Sequence, residues 1–191
     1  MTPIADEETE FIPLMSSEDE EQMNNEALPP ALPILPLKNT VLFPGVVIPI
    51  TVGRDKSIKL IREAHKGNKT IGVVSQKNDT IEDPQMADLN TIGTVAYIIK
   101  MLRMPDGNTT VILQGKRRFI LGEEVQHDPF LIAKVTPFTE ILPKKDDQEF
   151  KAIIASVKDT ALKIIQNNPQ VPTEAQVAIK NIESNSFLLN F

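Results

Sequence analysis

Apolar positions change their spacing along this chain, and each change predicts a different kind of element. In residues 1–31 they are sparse, follow neither a helical nor an alternating repeat, and sit among acids ahead of a Pro-Pro step. Such a segment buries too little apolar surface to offset its chain entropy, which predicts a disordered acidic tail over 1–31. A short docking helix around Phe11, Ile12, Leu14 and Met15 is the alternative reading. From Leu32 the chain turns abruptly to LPILPLKNTVLFPGVVIPITVGR, two short apolar runs with a reversal at Phe43-Pro44-Gly45. These read as strands. Pro33, Pro36 and Pro49 have no amide hydrogen to donate, so they predict edge strands or bulges.

Helical spacing follows over residues 56–66, where Ile58, Ile61 and Ala64 or His65 share one face between a capping Asp55 and a terminating Gly67. TIGVVSQ (70–76) has the β-branched content of a strand, and KNDTIEDPQMADLN reads as a loop. TIGTVAYIIKMLRM and TTVILQGKRRFIL flank Pro105-Asp106-Gly107-Asn108, the strongest hairpin signal in the chain. FLIAKVTPF (130–138) adds one more strand. Residues 32–142 therefore read as a compact mixed β domain of about six strands and one helix.

From Asp147 the period becomes three and four: Phe150, Ile153, Ile154, Val157, Ala161, Ile164 and Ile165 line one face, up to a stop at Asn167-Asn168-Pro169. A second helix runs from Thr173, spaced to Gln176 as in a capping box, to about Glu183, and Ser184 to Ser186 break it. The closing FLLNF looks like the opening of another helix with no polar end. Residues 143–191 thus read as a helical subdomain truncated at its C-terminal end. The fold class is α+β.

Composition narrows the chemistry. The 191 residues include no cysteine and two histidines, His65 and His127, which excludes thiolate zinc sites, disulfides, cysteine nucleophiles and multi-histidine metal centres. The net charge of −6 is uneven. The first 31 residues hold nine acids and no Lys or Arg, leaving the remainder at +3, too weakly basic for a dedicated nucleic-acid binder. No apolar run approaches the roughly 20 residues of a membrane span, and the acidic start resembles neither a signal peptide nor a transit peptide. A bacterial cytoplasm is the expected location.

The motifs of common enzymes are missing. Gly115-Lys116 is followed by Arg117, and Thr110 stands where a phosphate-binding loop needs its first glycine. Glu123-Glu124 and Asp146-Asp147 lie in polar connections and read as solvated charge; His65 reads as a capping or packing residue and His127 as a turn residue. Lys116, Arg117 and Arg118, beside Phe119, form the one basic cluster. Strand alternation splits it, with Lys116 and Arg118 on one face and Arg117 on the other, which favours a solvated strand or ion pairs over RNA binding. No catalytic, cofactor-binding or metal-ligating set is expected here.

LPILPLKNTVLFPGVVIPITVGRDKSIKLI (32–61), in its order of prolines, Phe43-Pro44, Val52-Gly53-Arg54 and Ser57, resembles the opening of the N-terminal domain of Lon, the ATP-dependent protease; Lys38 replaces the usual Arg. VVSQKNDTIEDP, DLNTIGTVAYI, LRMPDGNTTVILQGKRRFIL and the stretch ending IESNSFLLNF continue it, so it spans Leu32 to Phe191; the acidic leader departs from it. The resemblance implies a PUA-like β domain followed by the start of a helical bundle. It also implies a homohexameric parent with an AAA+ module, ATP, magnesium and a Ser-Lys protease dyad, all outside this chain. The work implied for the chain is recognition of unfolded or damaged protein substrates in quality control and stress response, with support of the ring. An apolar patch of Leu102, Met104 and Ile112, with Pro49, is the expected substrate contact, on the grounds of a shared hairpin face on which Ile112 lies across from about Leu102. The competing readings are a PUA-like RNA-binding module using Lys116 to Arg118 and a standalone Lon-domain adaptor.

Overall fold

The computed structural model describes residues 16–104, 108–141, 143–144, 146–172 and 174–191. The Phe11 to Met15 group, the hairpin apex at Pro105 to Gly107 and the expected capping role of Thr173 lie outside the described residues. Six strands form one sheet: β1 (Ala31–Leu37), β2 (Val47–Val52), β3 (Thr70–Ser75), β4 (Ile92–Arg103), β5 (Thr109–Gln126) and β6 (Ile132–Pro137). The order is β2-β5-β4-β3-β1-β6, and β6 also pairs with β5, so five strands close into a ring with β2 attached outside it. All pairings are antiparallel except β1 with β3.

β5 is 18 residues long, and this length makes closure possible. Residues 109–120 pair with β4 along one edge. On the other edge β2 takes residues 109–114 and β6 takes residues 119–126. The ring interior is filled by Phe119, fully buried among Leu32, Ile34, Val74, Val95 and Ala133. Gly72 and Gly93 leave room for its ring: a methyl group on either would stand 2.9 or 2.6 Å from the Phe119 ring carbon Cζ.

The prolines of β1 do not mark a sheet edge, because β1 lies between β3 and β6. Its pairing is divided instead, with Ala31 to Pro33 bonded to β6 and Ile34 to Leu37 to β3. The Ile34 amide donates to the Leu131 carbonyl at 2.8 Å, on the β6 side. Successive amides alternate sides. The nitrogen of Pro36 therefore faces the β6 side beyond its last pair, and that of Pro33 faces the β3 side before its first. Each proline falls where no ladder bond is lost. The turn before β2 follows expectation: the Val46 amide donates to the Phe43 carbonyl at 3.2 Å, and Gly45 sits at φ 80°, which a glycine tolerates without strain.

Helix α2 (Asp55–Lys66) covers one end of the sheet, burying Ser57, Leu60, Ile61 and Ala64 while Ile58 is half-buried. Its N-cap is Arg54, not Asp55; Asp55 is the first helical residue, where its charge still faces the helix N-terminus favourably. Helices α3 (Gln148–Asn167), α4 (Glu174–Asn181) and α5 (Asn185–Asn190) form a separate apolar cluster around Ile154, Ile165, Ile179 and Phe187, reached by Val46 from the sheet. Ser184 begins a helix rather than only ending one, since its hydroxyl accepts the Phe187 amide as the N-cap of α5, and Ser186 lies within that helix. The apolar stripe of α3 is wider than its neighbours cover: Ile153, Val157 and Ile164 stay exposed.

The expectation of a disordered tail over 1–31 is corrected for its second half. Ser17–Asn25 form a helix, preceding α2 in sequence and here called αN. Ser16 caps it in a reciprocal box with Asp19: the Asp19 amide donates to the Ser16 hydroxyl at 3.1 Å, and the Ser16 amide donates to the Asp19 carboxylate at 3.0 Å. Met23 is buried, the Arg117 guanidinium donates to the Glu26 carbonyl at 3.0 Å, and the Ser184 hydroxyl donates to the Glu20 carboxylate. A composition argument averages over the segment and misses one buried Met, one capping box and two tethers.

Two outcomes are expected. Gly93→Ala forces a methyl group to within 2.8 Å of the Val73 carbonyl and against Phe119, and should cost about 1–3 kcal/mol, read from the urea midpoint. The hydrogen bonds from Ser16 hold the Asp19 carboxyl below its ordinary 3.8. A depressed folded-state pKa stabilises the helix above the unfolded value and is lost as pH falls through the folded one. The αN backbone shifts should therefore hold from neutral pH to about 5 and collapse toward coil below about 4, whereas Asp19→Ala should remove this dependence.

Candidate functional site

Three strands position the surface that the sequence singles out. The ladder places Pro49 opposite Ile112, Ile112 opposite Lys100, and Leu102 opposite Thr110. Cross-strand partners share a face, so Pro49, Ile112 and Leu102 lie together on the outer side, and Met104 continues the same parity. On the inner side Ile98, Val111 and Leu113 are fully buried in the cluster beneath α2, with Met101 half-buried beside them. Leu102 is 37% exposed and Met104 42%; Pro49 is exposed and Ile112 half-buried.

Ile112 does not face Leu102 directly, as expected, but lies diagonal to it. The Met104 amide donates to the Asn108 carbonyl at 2.8 Å, closing the loop there and setting Leu102 against Thr110. The diagonal separation is still within reach of long side chains.

Two members of this face escaped the sequence reading. Tyr97 pairs with Gln114 on the outer side, and Ile99 is the extra residue of a bulge between Ile98 and Lys100. They are 38% and 46% exposed. The bulge reverses the alternation, so even positions point inward before it (Ile98) and outward after it (Lys100, Leu102). Read without the bulge, Tyr97-Ile98-Ile99 looks like buried strand; no local residue signals the reversal.

The two arginines of the basic cluster are engaged within the fold. Arg117 reaches αN at Glu26, and its Nε is buried without a hydrogen-bond partner. Arg118 pairs with Glu140, donates to the Asn190 side chain at 2.8 Å, and lies 5.9 Å from the centre of the Phe43 ring. Phe119, the candidate stacking ring, is core. Arg118 and Phe43 border a hollow of about 240 Å³ whose rim exposes Val41 and Ile92.

The carboxylate pairs are likewise structural. Glu123 pairs with Lys134 at 2.8 Å, and the shared hydrogen bond pushes the Glu123 carboxyl down and the Lys134 ammonium up. Glu124 lies 3.6 Å from His127, Asp146 lies 3.7 Å from Lys151, and Asp147 caps α3 by accepting the Phe150 amide at 3.0 Å. His65 is half-buried in the last turn of α2, and His127 stands in the β5–β6 connection, 3.3 Å from the Lys56 ammonium. Lys56 is itself raised, first by its hydrogen bond to Asp83. Glu124, His127, Lys56 and Asp83 thus form one linked surface cluster, and the other groups sit in separate surface pairs.

The two faces of the ladder should respond oppositely to one substitution. Ile99→Ser should leave the unfolding midpoint within about 0.5 kcal/mol of the parent and lower the binding of an apolar dye. Val111→Ser, on the inner side, should cost about 2–4 kcal/mol in the same urea titration.

The family model for the ATP-dependent protease La (LON) substrate-binding domain matches residues 31–191. The chain is 60% identical over 186 residues to a Lon protease of Flavobacterium johnsoniae and 52% identical over 185 residues to one of Cytophaga hutchinsonii. Each alignment covers 97% of this chain, and so most of the acidic leader, but the chain spans only 23% of either relative's length. The fold matches the N-terminal domain of a Mycobacterium avium complex Lon protease with TM-score 0.68 at 23% identity, over 84% of this chain and 80% of that one. The resemblance read from LPILPLKNTVLFPG onward and the closed mixed sheet agree with these matches, and the chain belongs to the Lon substrate-binding domain family.

Proposed function

We propose that this chain selects unfolded or damaged proteins for a Lon-type, ATP-dependent serine protease in a bacterial cytoplasm, and that it helps to hold the subunits of a homohexameric ring. One observation carries the reading: a rigid ladder presents Pro49, Tyr97, Ile99, Leu102, Met104 and Ile112 on one outward face. Exposed apolar segments are what physically separates an unfolded chain from a folded one, and an apolar face able to bury them discriminates without a sequence motif. Met104, unbranched and next to the hairpin loop, suits varied partners. A single such face binds weakly, and copies in a ring gain by multivalency.

Peptide-bond hydrolysis, ATP and magnesium belong, in this reading, to other parts of the parent enzyme. Gly115-Lys116 does not fit a phosphate: it lies inside β5, where a methyl group on Gly115 would stand 2.2 Å from the Phe43 carbonyl oxygen, so no anion approaches that backbone. The RNA-binding alternative is supported less, because Arg117 and Arg118 already hold αN, Glu140 and Asn190.

The test titrates the chain against reduced, carboxymethylated lactalbumin and against the folded protein, at low and high salt. Selective, salt-tolerant binding of the unfolded form is expected. Leu102→Ser with Met104→Ser should weaken it at least about ten-fold, or about 1.4 kcal/mol, with an unchanged far-ultraviolet spectrum. Equal binding by the double variant would remove both residues from the site, and a steep salt dependence with RNA in place of protein would favour the alternative.

A further inference from the structure

A cavity of about 710 Å³ runs beside β2 and is not accounted for by the apolar face. One wall is Pro49 to Val52; the other is Leu35 to Lys38 of β1, with the first turn of α2 closing the end. Both walls are strand edges without a neighbour among the described residues. β2 is outermost in the sheet and bonded to β5 alone, and residues Leu35 to Leu37 pair only with β3.

The orientation of the β2 main chain follows from one bond. The Gly115 amide donates to the Val46 carbonyl at 2.9 Å, so Val46, Ile48, Ile50 and Val52 face β5, and Val47, Pro49 and Thr51 turn their main-chain groups outward. Pro49 offers a carbonyl and no amide; Thr51 offers both. No backbone hydrogen bond among the described residues reaches this edge. Ser57, only 7% exposed, lines the cavity with a hydroxyl that has no hydrogen-bond partner among the described residues. The remaining charges balance, with Lys38 bonded to Glu82 at 2.6 Å and Arg54 beside Asp55. A cleft with free main-chain donors and acceptors and no net charge suits a neutral polypeptide backbone better than an ion of either sign.

We propose that an extended segment of an unfolded polypeptide adds to the outer edge of β2 as a further strand, hydrogen-bonded to the Thr51 amide and carbonyl and to the Pro49 carbonyl. This rests on the proposed function and deepens it. Four residues of edge span about 13 Å. Main-chain bonding of this kind reads no side chain, so it tolerates any sequence that lacks a poorly placed proline. The added strand extends the sheet beyond β2, placing alternate side chains beside Pro49 on the apolar outer face and the others over the cavity floor at Leu35 and Val52.

The experiment follows amide exchange of the unmodified chain by NMR as reduced, carboxymethylated lactalbumin is added, alongside titrations of Thr51→Pro and Thr51→Ala. Thr51→Pro deletes the outward amide and leaves the β5 ladder intact. The Thr51 amide should slow at least about ten-fold at saturation; Thr51→Pro should weaken binding about ten-fold and Thr51→Ala should not. Binding with an unprotected Thr51 amide would overturn the edge assignment even if the proline variant fails to fold. So would full affinity in Thr51→Pro. The absence of any binding by the unmodified chain would instead sink the proposed function itself, and shows before a variant is made.

Discussion

Everything in this molecule depends on one strand being longer than its neighbours. β5 gives residues 109–120 on one edge to β4 and divides the other between β2 and β6. The β6 half closes the ring and traps Phe119; the β2 half projects past the closure as a three-stranded ribbon. A ribbon so placed has an inner face covered by α2 and an outer face on which, among the described residues, Tyr97, Ile99, Leu102 and Met104 stay exposed. The exposed apolar surface is thus a consequence of strand length, not an accident of composition.

The sequence revealed the elements more readily than their arrangement. Strand composition, the Phe43-Pro44-Gly45 reversal and the helical period after Asp147 are local, so they could be read directly, and the helix starting at Gln148 with Asp147 as its cap follows the pattern closely. The prolines of β1 misled because their meaning depends on which neighbour pairs with which half of the strand. The leader misled for a different reason: its order rests on contacts to Arg117 and Ser184, far away in sequence. At the site, Leu102, Ile112 and Pro49 share a face because the alternation after the bulge is regular. Tyr97 and Ile99 were hidden because a bulge changes phase without a residue that announces it.

A face that must stay soluble while exposing apolar groups needs interruptions. Lys100 and Gln114 supply them, standing in the same ladder rows as Ile112 and Tyr97. The edge of β2 is managed in a similar way. Pro49 removes one outward amide, which limits pairing between copies of the chain without closing the edge. The proposed affinity for disordered chains and resistance to self-association are opposing demands, and single residues placed within otherwise regular strands bear on both.

The tethers of αN tie two layers to each other. Its C-terminal end is held by a guanidinium on the sheet and its middle by the hydroxyl that also starts α5. Ser184 therefore serves two masters, capping one helix and gripping another, so neither contact can be released without disturbing the other. Because αN bonds both the sheet and the N-cap of α5, opening αN should loosen all three together. A partner that drew αN away would take from Ser184 one of the two contacts made by its hydroxyl, 164 residues along the chain from Glu20, and leave the cap of α5 to stand on the other.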